Sequence, residues 1–380
     1  MSWSARPPER RIVNAKDNQM SIEELAIPAT LDAPDAGPFL AAAELANLVA
    51  RDDWGNDDFT ETPQARLAQA QGDDYATRLT LTAVRGGQML GRAELSLPRH
   101  DNLHLAKVAL AVHPDHRRRG IGSALLTRIT ALAAEHGRTV LCAWSEFAAT
   151  TPAQTGHALA ASTGVGAVPS DAPATRFALA RGFTLEQVDR VSVLHRPPHR
   201  PPTSGPDDAF EMVSWDGHCP DVLVDAYASL RAKMSTAVPL GGVDLRPESW
   251  DAARIRADED LARRRGERLQ VTVARHRTTS DLAGHTVLEY YPAAAPVALQ
   301  GDTLVLPHYR GHGLGRRMKD HNLALASMAW PLMQRIYTFN AEENDHMLAI
   351  NEAMGFARAG VVATWQQQVA VPQGPPAGER

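Results

Sequence analysis

The spacing of apolar residues divides the chain into two stretches with the same order of elements. In the first, helical spacing at about Pro38–Val49 is followed by alternating, strand-like runs at Leu79–Val84 and Gly91–Leu95, and then by an apolar run into Val112. Ser123–Glu135 next places Leu125, Leu126, Ile129 and Leu132 on one helical face, and Val140–Trp144 reads as a buried strand. A short helix ends at Arg181-Gly182-Phe183, and Val188–Leu194 closes the stretch as a strand. The second stretch repeats this order. It has a helix at about Asp221–Met234, strands at Leu269–Ala274 and Gly284–Leu288, a run into Val305, and a less regular helix at Arg316–Met328. A strand at Arg335–Phe339, a helix ending at Met354-Gly355-Phe356 and a last strand at Val361–Val369 complete it. In both Gly-Phe pairs the glycine suits a helix C-terminus with positive φ and the phenylalanine suits the core. Trp250–Arg265 predicts one further helix, with Arg263-Arg264-Arg265 on its solvated face.

Between the stretches, five of the ten residues 197–206 are proline, a composition that favours an extended linker. The organisation expected is a tail over 1–20, a domain over 21–196, a linker over 197–208, a second domain over 209–371 and a tail over 372–380. The spacing between matching positions is 193 at the glycine loops and 173 at the Gly-Phe pairs. The first stretch therefore holds about 20 additional residues within Ala148–Asp171, a loop long enough to act as a lid or to lie as a surface insertion.

The feature that carries chemistry occurs twice. Val112-His113-Pro114-Asp115-His116-Arg117-Arg118-Arg119-Gly120-Ile121-Gly122 and Val305-Leu306-Pro307-His308-Tyr309-Arg310-Gly311-His312-Gly313-Leu314-Gly315 each join a strand to a helix through Arg-x-x-Gly-x-Gly. Such a loop aims several backbone N–H groups at a phosphate, and the helix start adds partial positive charge. The Gly-Lys-Ser/Thr of a P-loop is absent, and no dinucleotide fingerprint with its acidic partner follows.

Composition narrows the setting. The 44% apolar and 22% charged content is that of a soluble globular protein, and the net charge of −5 disfavours a general nucleic-acid partner. No apolar run is long enough to span a membrane. The N-terminus lacks an apolar signal segment, and Cys142 and Cys219 make no disulfide framework, so the cytoplasm is the expected compartment. The 15 histidines form no metal-ligand pattern, so no metal is expected. Cys142 reads as core.

Order of elements and motifs together resemble the GNAT superfamily of acyl-CoA-dependent N-acyltransferases, from about Ser21 to Val371. The resemblance implies an α/β (α+β) fold. Two tandem domains would each have a mixed, mostly antiparallel twisted sheet flanked by helices, splayed at the CoA-binding strand. It implies that main chain at Leu110 and Val112, or Thr303 and Val305, contacts the pantetheine arm of acetyl-CoA. The phosphates would meet Arg117, Arg118, Arg119, Gly120, Ile121, Gly122 and Ser123, or Arg310, Gly311, His312, Gly313, Leu314, Gly315 and Arg316. Asn344 matches the family's cofactor-contacting asparagine at a helix start, where the first half has Asp171.

Amine acylation needs a base and a donor to the thioester carbonyl. By the resemblance Glu94 stands at the family's glutamate position. The second half has Val287 there, with Glu289 two residues on and on the same strand face. Glu146 is a third candidate. The family's tyrosine, four residues before the glycine of Gly-Phe, is replaced by Ala178 and Asn351, which leaves the acid unassigned among Tyr337, Tyr290, Tyr291 and water, or the thiolate to leave unassisted. The acidic group Asp52, Asp53, Asp57 and Asp58 beside Trp54 and Phe59 reads as a surface loop, or as an acceptor-side patch for a cationic amine. The function expected is transfer of an acetyl group from acetyl-CoA to a primary amine of a small molecule by direct attack, by a monomer or homodimer. The alternatives are a non-catalytic acyl-CoA sensor and a protein N-acetyltransferase.

Overall fold

The computed structural model describes residues 19–149, 158–195, 197, 209–293 and 296–370. The tail up to residue 18, the linker 198–208, the centre of the insertion (150–157) and the tail from 371 lie outside the described residues.

The first half runs β1 (Ser21–Glu24), α1 (Gly37–Trp54), α2 (Pro63–Gln71), β2 (Ala76–Arg85), β3 (Gln88–Pro98), β4 (Leu105–Val112), α3 (Ile121–Glu135) and β5 (Val140–Ala148). A small hairpin, β6 (Ala158–Ala160) and β7 (Ala167–Pro169), precedes α4 (Pro173–Ala180) and β8 (Thr184–His195). The second half runs β9 (Phe210–Asp216), α5 (Val224–Ala237), α6 (Ala252–Arg265), β10 (Arg268–His276), β11 (Leu282–Tyr290), β12 (Val297–Val305), α7 (Leu314–Ala329), β13 (Arg335–Ala341), α8 (Asp345–Met354) and β14 (Ala357–Gln368). The helix α2 escapes apolar periodicity because it buries only Ala65, Leu67 and Ala68. Its start is nonetheless written in the sequence, as Thr62 accepting from the Ala65 N–H, followed by Pro63.

All strands except the β6–β7 hairpin join one sheet of order β1-β2-β3-β4-β5-β14-β8-β13-β12-β11-β10-β9. The halves exchange their last strands. β14 of the second half pairs with β5 of the first, β8 of the first pairs with β13 of the second, and β8 and β14 pair with each other at the centre. The exchange was not legible in the element order, because either last strand presents a run of buried residues that fits either slot.

Opposite faces of each half-sheet are covered by different helices. Gly91 on β3 faces Ile121 and Leu125 of α3, while its neighbour Arg92 donates to the Ala42 carbonyl of α1 (3.2 Å). Gly284 on β11 faces Met318 of α7, while His285 faces Tyr227 of α5. The α1–α2 side of the first half meets the α5–α6 side of the second. Arg264 donates to the Ala68 and Gly72 carbonyls (3.3 and 3.1 Å), and Arg254 lies over Tyr75 and Trp250. The expected solvated Arg263–Arg265 run is therefore corrected. Arg263 pairs with Asp260 on its own helix, but Arg264 caps the C-terminus of α2, where carbonyls carry partial negative charge, and Arg265 pairs with Glu267.

The described part of the insertion is anchored, with Val168 buried and the Ser162 N–H bonded to the Leu185 carbonyl (2.8 Å).

Close approach of helix to strand fixes Gly284. A Cβ there would overlap the Leu304 carbonyl oxygen and stand 3.0 Å from Met318 Cε. Gly284→Ala is expected to destabilise by about 1–3 kcal/mol through overpacking, read as a lowered melting temperature. Gly315→Ala, whose Cβ meets Ile350 and Val305 only at 3.7 Å, should not melt earlier.

Candidate functional site: two strand gaps and the loops that end them

Each half contains one parallel strand pair, and each lets go after four residues. β4 and β5 pair only over Leu105–Val108 and Val140–Ala143, and β12 and β13 only over Val297–Gln300 and Arg335–Thr338. Beyond those points β4 and β12 have no partner on that side, while β5 and β13 continue against β14 and β8. Leu110 and Val112, and Thr303 and Val305, lie on the freed segments, so their backbone borders a wedge-shaped gap. Their side chains serve packing or the sheet. Leu110 and Val112 lie against the first core, Val305 lies against a smaller one, and the Thr303 hydroxyl bonds to that of Thr286 (2.8 Å).

Each gap ends at its glycine loop. A single 3-10 turn, Pro114–His116 or Pro307–Tyr309, reverses the chain. Arg117 Nε then reaches back to the Val112 carbonyl (3.3 Å) and Arg310 Nε to the Val305 carbonyl (3.4 Å). Gly120 (φ 83°) and Gly313 (φ 67°) take the left-handed conformation at the helix starts. Arg118 (φ 62°) adopts it where the second half has Gly311 (φ 88°). The first amides to turn into the helices are Ala124 to the Gly120 carbonyl (3.0 Å) and Arg317 to the Gly313 carbonyl (3.1 Å). The N–H groups of Ile121, Gly122 and Ser123, and of Leu314, Gly315 and Arg316, precede them at the helix start, where no carbonyl lies one turn back. A Cβ at Gly122 would meet Phe177 and Val112 only at ordinary contact, so packing does not demand glycine there. The loops thus fit a diphosphate on geometry of their own.

The other loop side chains are partly engaged. Arg119 contacts His116 (3.4 Å), Ser123 accepts from Arg181 (2.5 Å), Arg316 pairs with Asp320 (2.7 Å), and His312 packs against Phe210. Leu314 and Ile121 are buried under their helices. Asn344 caps α8 by accepting from the Met347 N–H (3.2 Å), so its oxygen is committed to the helix.

In the first half the candidate base is neutralised. Glu94 forms an ion pair with the buried Arg92, whose guanidinium burial pulls down to about 10. Arg117 is held by Asp52 (2.7 Å) and Asp53 (3.9 Å), which places carboxylates beside the loop. Glu146 accepts from the Trp54 indole, and its carboxyl is raised above the usual range by its packed surroundings. Desolvation, with Glu146 and Asp52 nearby, pushes Asp53 up to about 6. The remaining acidic residues are structural. Asp57 pairs with Arg51 (2.6 Å), and Asp58 accepts from Arg335 (2.6 Å) and from the Tyr337 hydroxyl (2.7 Å). Tyr337 is thereby fixed at the seam between halves, and Tyr290 is buried on Trp330, so neither offers a proton to a gap.

In the second half the carboxylates line a cavity of about 200 Å3. Glu289, Asp302 and Asp258 surround it with Tyr227, Arg231 and Gly301, and Arg231 spans Asp258 (3.5 Å) and Asp302 (3.6 Å). Glu289 accepts from the Tyr291 hydroxyl (3.1 Å), and burial, then Asp302 and Asp258, raise its carboxyl. Where the first half has Arg92, the second has His285, whose ring is fully buried with both nitrogens unpartnered among the described residues. Burial drives His285 down to about 3, so it stays neutral and, unlike Arg92, brings no positive charge to the carboxylates, of which Asp258 and Asp302 are bridged by Arg231.

Sequence reasoning missed a polar chain on the other side of the second gap. Lys319 Nζ, buried on α7, donates to Asn351 Oδ1 (2.6 Å), and Asn351 Nδ2 donates to Asn340 Oδ1 (2.7 Å). The helical spacing of Lys319 from Gly315 on the face toward α8 was its only signal. Burial lowers the Lys319 ammonium to about 7. Cys142 is buried and pushed up to about 11, so it is inert. Among the described residues no cluster of ligating side chains could hold a metal ion, and no helix is long and apolar enough to cross a membrane.

A sheet opened at a parallel pair, with a phosphate-fitting loop at the open end, occurs in both halves, and this defines a tandem GNAT fold. Residues 43–155 match the family model "Acetyltransferase (GNAT) family". Among solved structures, a tandem GNAT protein from the clavulanic acid biosynthesis pathway superposes with a TM-score of 0.73 at 24% identity, covering 94% of this chain and 100% of that one. A GCN5-related N-acetyltransferase from Sphaerobacter thermophilus gives 0.59 at 13% identity, covering 92% and 96%. No curated protein matches the sequence significantly. The chain has the tandem GNAT fold, and its first half carries the sequence pattern of the GNAT acetyltransferase family.

The Lys319 shift has a measurable consequence. Its folded-state value lies below the ordinary lysine value of 10.5, so its charged form is disfavoured by folding, increasingly as pH falls from 10.5 toward 7. Lys319→Met should therefore gain stability relative to the wild type on going from pH 10 to pH 6.5. Thermal melts at both pH values check this, and a gain in the opposite direction would contradict it.

Proposed function

We propose that the protein is an N-acetyltransferase that moves an acetyl group from acetyl-CoA to a primary amine of a small molecule, with the second half as the catalytic one. The observation that carries this reading is the meeting of gap and cavity. Gly301 and Asp302, the first residues of β12 beyond its pairing with β13, also line the cavity that holds Glu289. A donor substrate lying in the gap and an amine in the cavity would then meet at one point.

The chemistry follows from the residues. A cationic amine is drawn by Glu289, Asp302 and Asp258. Glu289, with its raised proton affinity, takes a proton from the ammonium, directly or through one water. The freed nitrogen forms a bond to the acyl carbon, the carbon–sulfur bond breaks, and the second proton of the nitrogen passes through solvent to the leaving thiolate. Tyr291, already bonded to Glu289, is placed to hold that carboxylate in one orientation. The small volume of the cavity supports a small acceptor over a peptide segment. The tie of Glu94 to Arg92 speaks against the first half as the catalytic one.

Acetyl-CoA titration by calorimetry tests the donor. The wild type is expected to bind, and Gly313→Trp/Gly315→Trp is expected to lose the second-half site while Gly120→Trp/Gly122→Trp keeps it. Glu289→Gln should cut kcat about 10²–10⁴-fold with any accepted amine while acetyl-CoA affinity holds. Unchanged kcat in Glu289→Gln, with Glu94→Gln inactive, would move the reaction to the first half.

A further inference from the structure

The Lys319–Asn351–Asn340 chain lies where α7, α8 and β13 converge beside the second gap. A Cβ on Gly315, one turn before Lys319, would approach both Val305 at the end of β12 and Ile350 on α8 at 3.7 Å. Asn340 stands on the part of β13 that β12 no longer covers, and it is half-buried. Lys319 has 1% of its surface exposed, and among the described residues no carboxylate lies within ion-pair distance of it. Its neighbours are the Asn351 oxygen, Met347 Sδ at 3.8 Å and the Phe356 ring at 5.9 Å.

Packing does not require this arrangement. At the matching positions the first half has Leu126 and Ala178, both buried, and Ser145, whose hydroxyl accepts from Trp365 (2.8 Å). The same fold is therefore built without the chain in one half. In the other it carries a buried amine that is costly to desolvate.

What the chain does supply is direction. An ammonium only donates, so Lys319 forces the oxygen of Asn351 toward itself and the NH2 toward Asn340. That NH2, together with the Thr338 hydroxyl (3.3 Å), claims the oxygen of Asn340. The Asn340 NH2 is left as a donor with no acceptor among the described residues. We propose that Lys319 is a positioning residue that fixes Asn340 as a hydrogen-bond donor to the thioester group of the acyl donor in the second gap. This rests on the acyl-CoA reading above. A donor at the thioester polarises it where negative charge develops during attack.

The test uses the full chain with the first site closed by Gly120→Trp/Gly122→Trp, titrated with acetyl-CoA and with desulfo-CoA, which has no thioester. Two variants are added to it: Lys319→Leu/Asn351→Ala, which copies the first half, and Asn340→Ala. Each is expected to lose about tenfold in acetyl-CoA affinity and nothing for desulfo-CoA. Combining them should lose no more than either one, because both remove the same donor. Equal losses for both ligands, or no loss for either, would overturn the positioning role while leaving the acyl-CoA reading intact. Absence of binding of either ligand before these variants are added would overturn both. Asn340→Ala, at a half-buried strand position, keeps the test decisive if the Lys319 variant does not fold.

Discussion

The architecture depends on the adjacency of β8 and β14. Each last strand fills the slot beside the other half's fifth strand, so neither half-sheet is complete without the chain of its partner. This central antiparallel pair holds β5 and β13 over their full length. β4 and β12 are held on that side for only four residues. A parallel pair that ends early leaves backbone donors and acceptors facing a gap. Such groups need partners, which an amide-bearing pantetheine arm can provide.

The same adjacency brings the helix-covered faces of both halves together. α2 lies on α6, and Arg264 serves the end of α2. Charge is distributed unequally across this seam. Arg92 pairs with Glu94 and Arg117 with Asp52, whereas the neutral His285 occupies the place of Arg92, and Arg231 pairs with Asp302 and Asp258. The matching strands differ in charge at two places, Arg92 against His285 and Glu94 against Val287, with Glu289 two residues further on.

The second half also carries more unfavourable burial. His285 has two unpartnered nitrogens, and Lys319 is buried with amide partners and no counter-ion. Groups of this kind lower stability and persist where they shape a site. Both lie beside the second gap or its cavity; in the first half Leu126 stands in the place of Lys319, and Arg92, which has an ion-pair partner, in the place of His285.

The sequence by itself determined the repeated units, the two loops and the glycines within them. These depend on local conformation: positive φ at Gly120 and Gly313, helix ends at Gly182 and Gly355, and the alternation of apolar residues. It also put Glu289 on the same strand face as Val287, the position that matches Glu94, because a strand's two-residue period is readable from the chain. Only the tertiary structure decided which carboxylates are tied to cations, since that follows from contacts between residues far apart in sequence, such as Arg117 with Asp52 and Asp58 with Arg335. The exchange of β8 and β14 and the Lys319–Asn351–Asn340 chain were decided there too. Strand partners and buried hydrogen bonds are chosen by the packed molecule, and apolar periodicity carries no record of them.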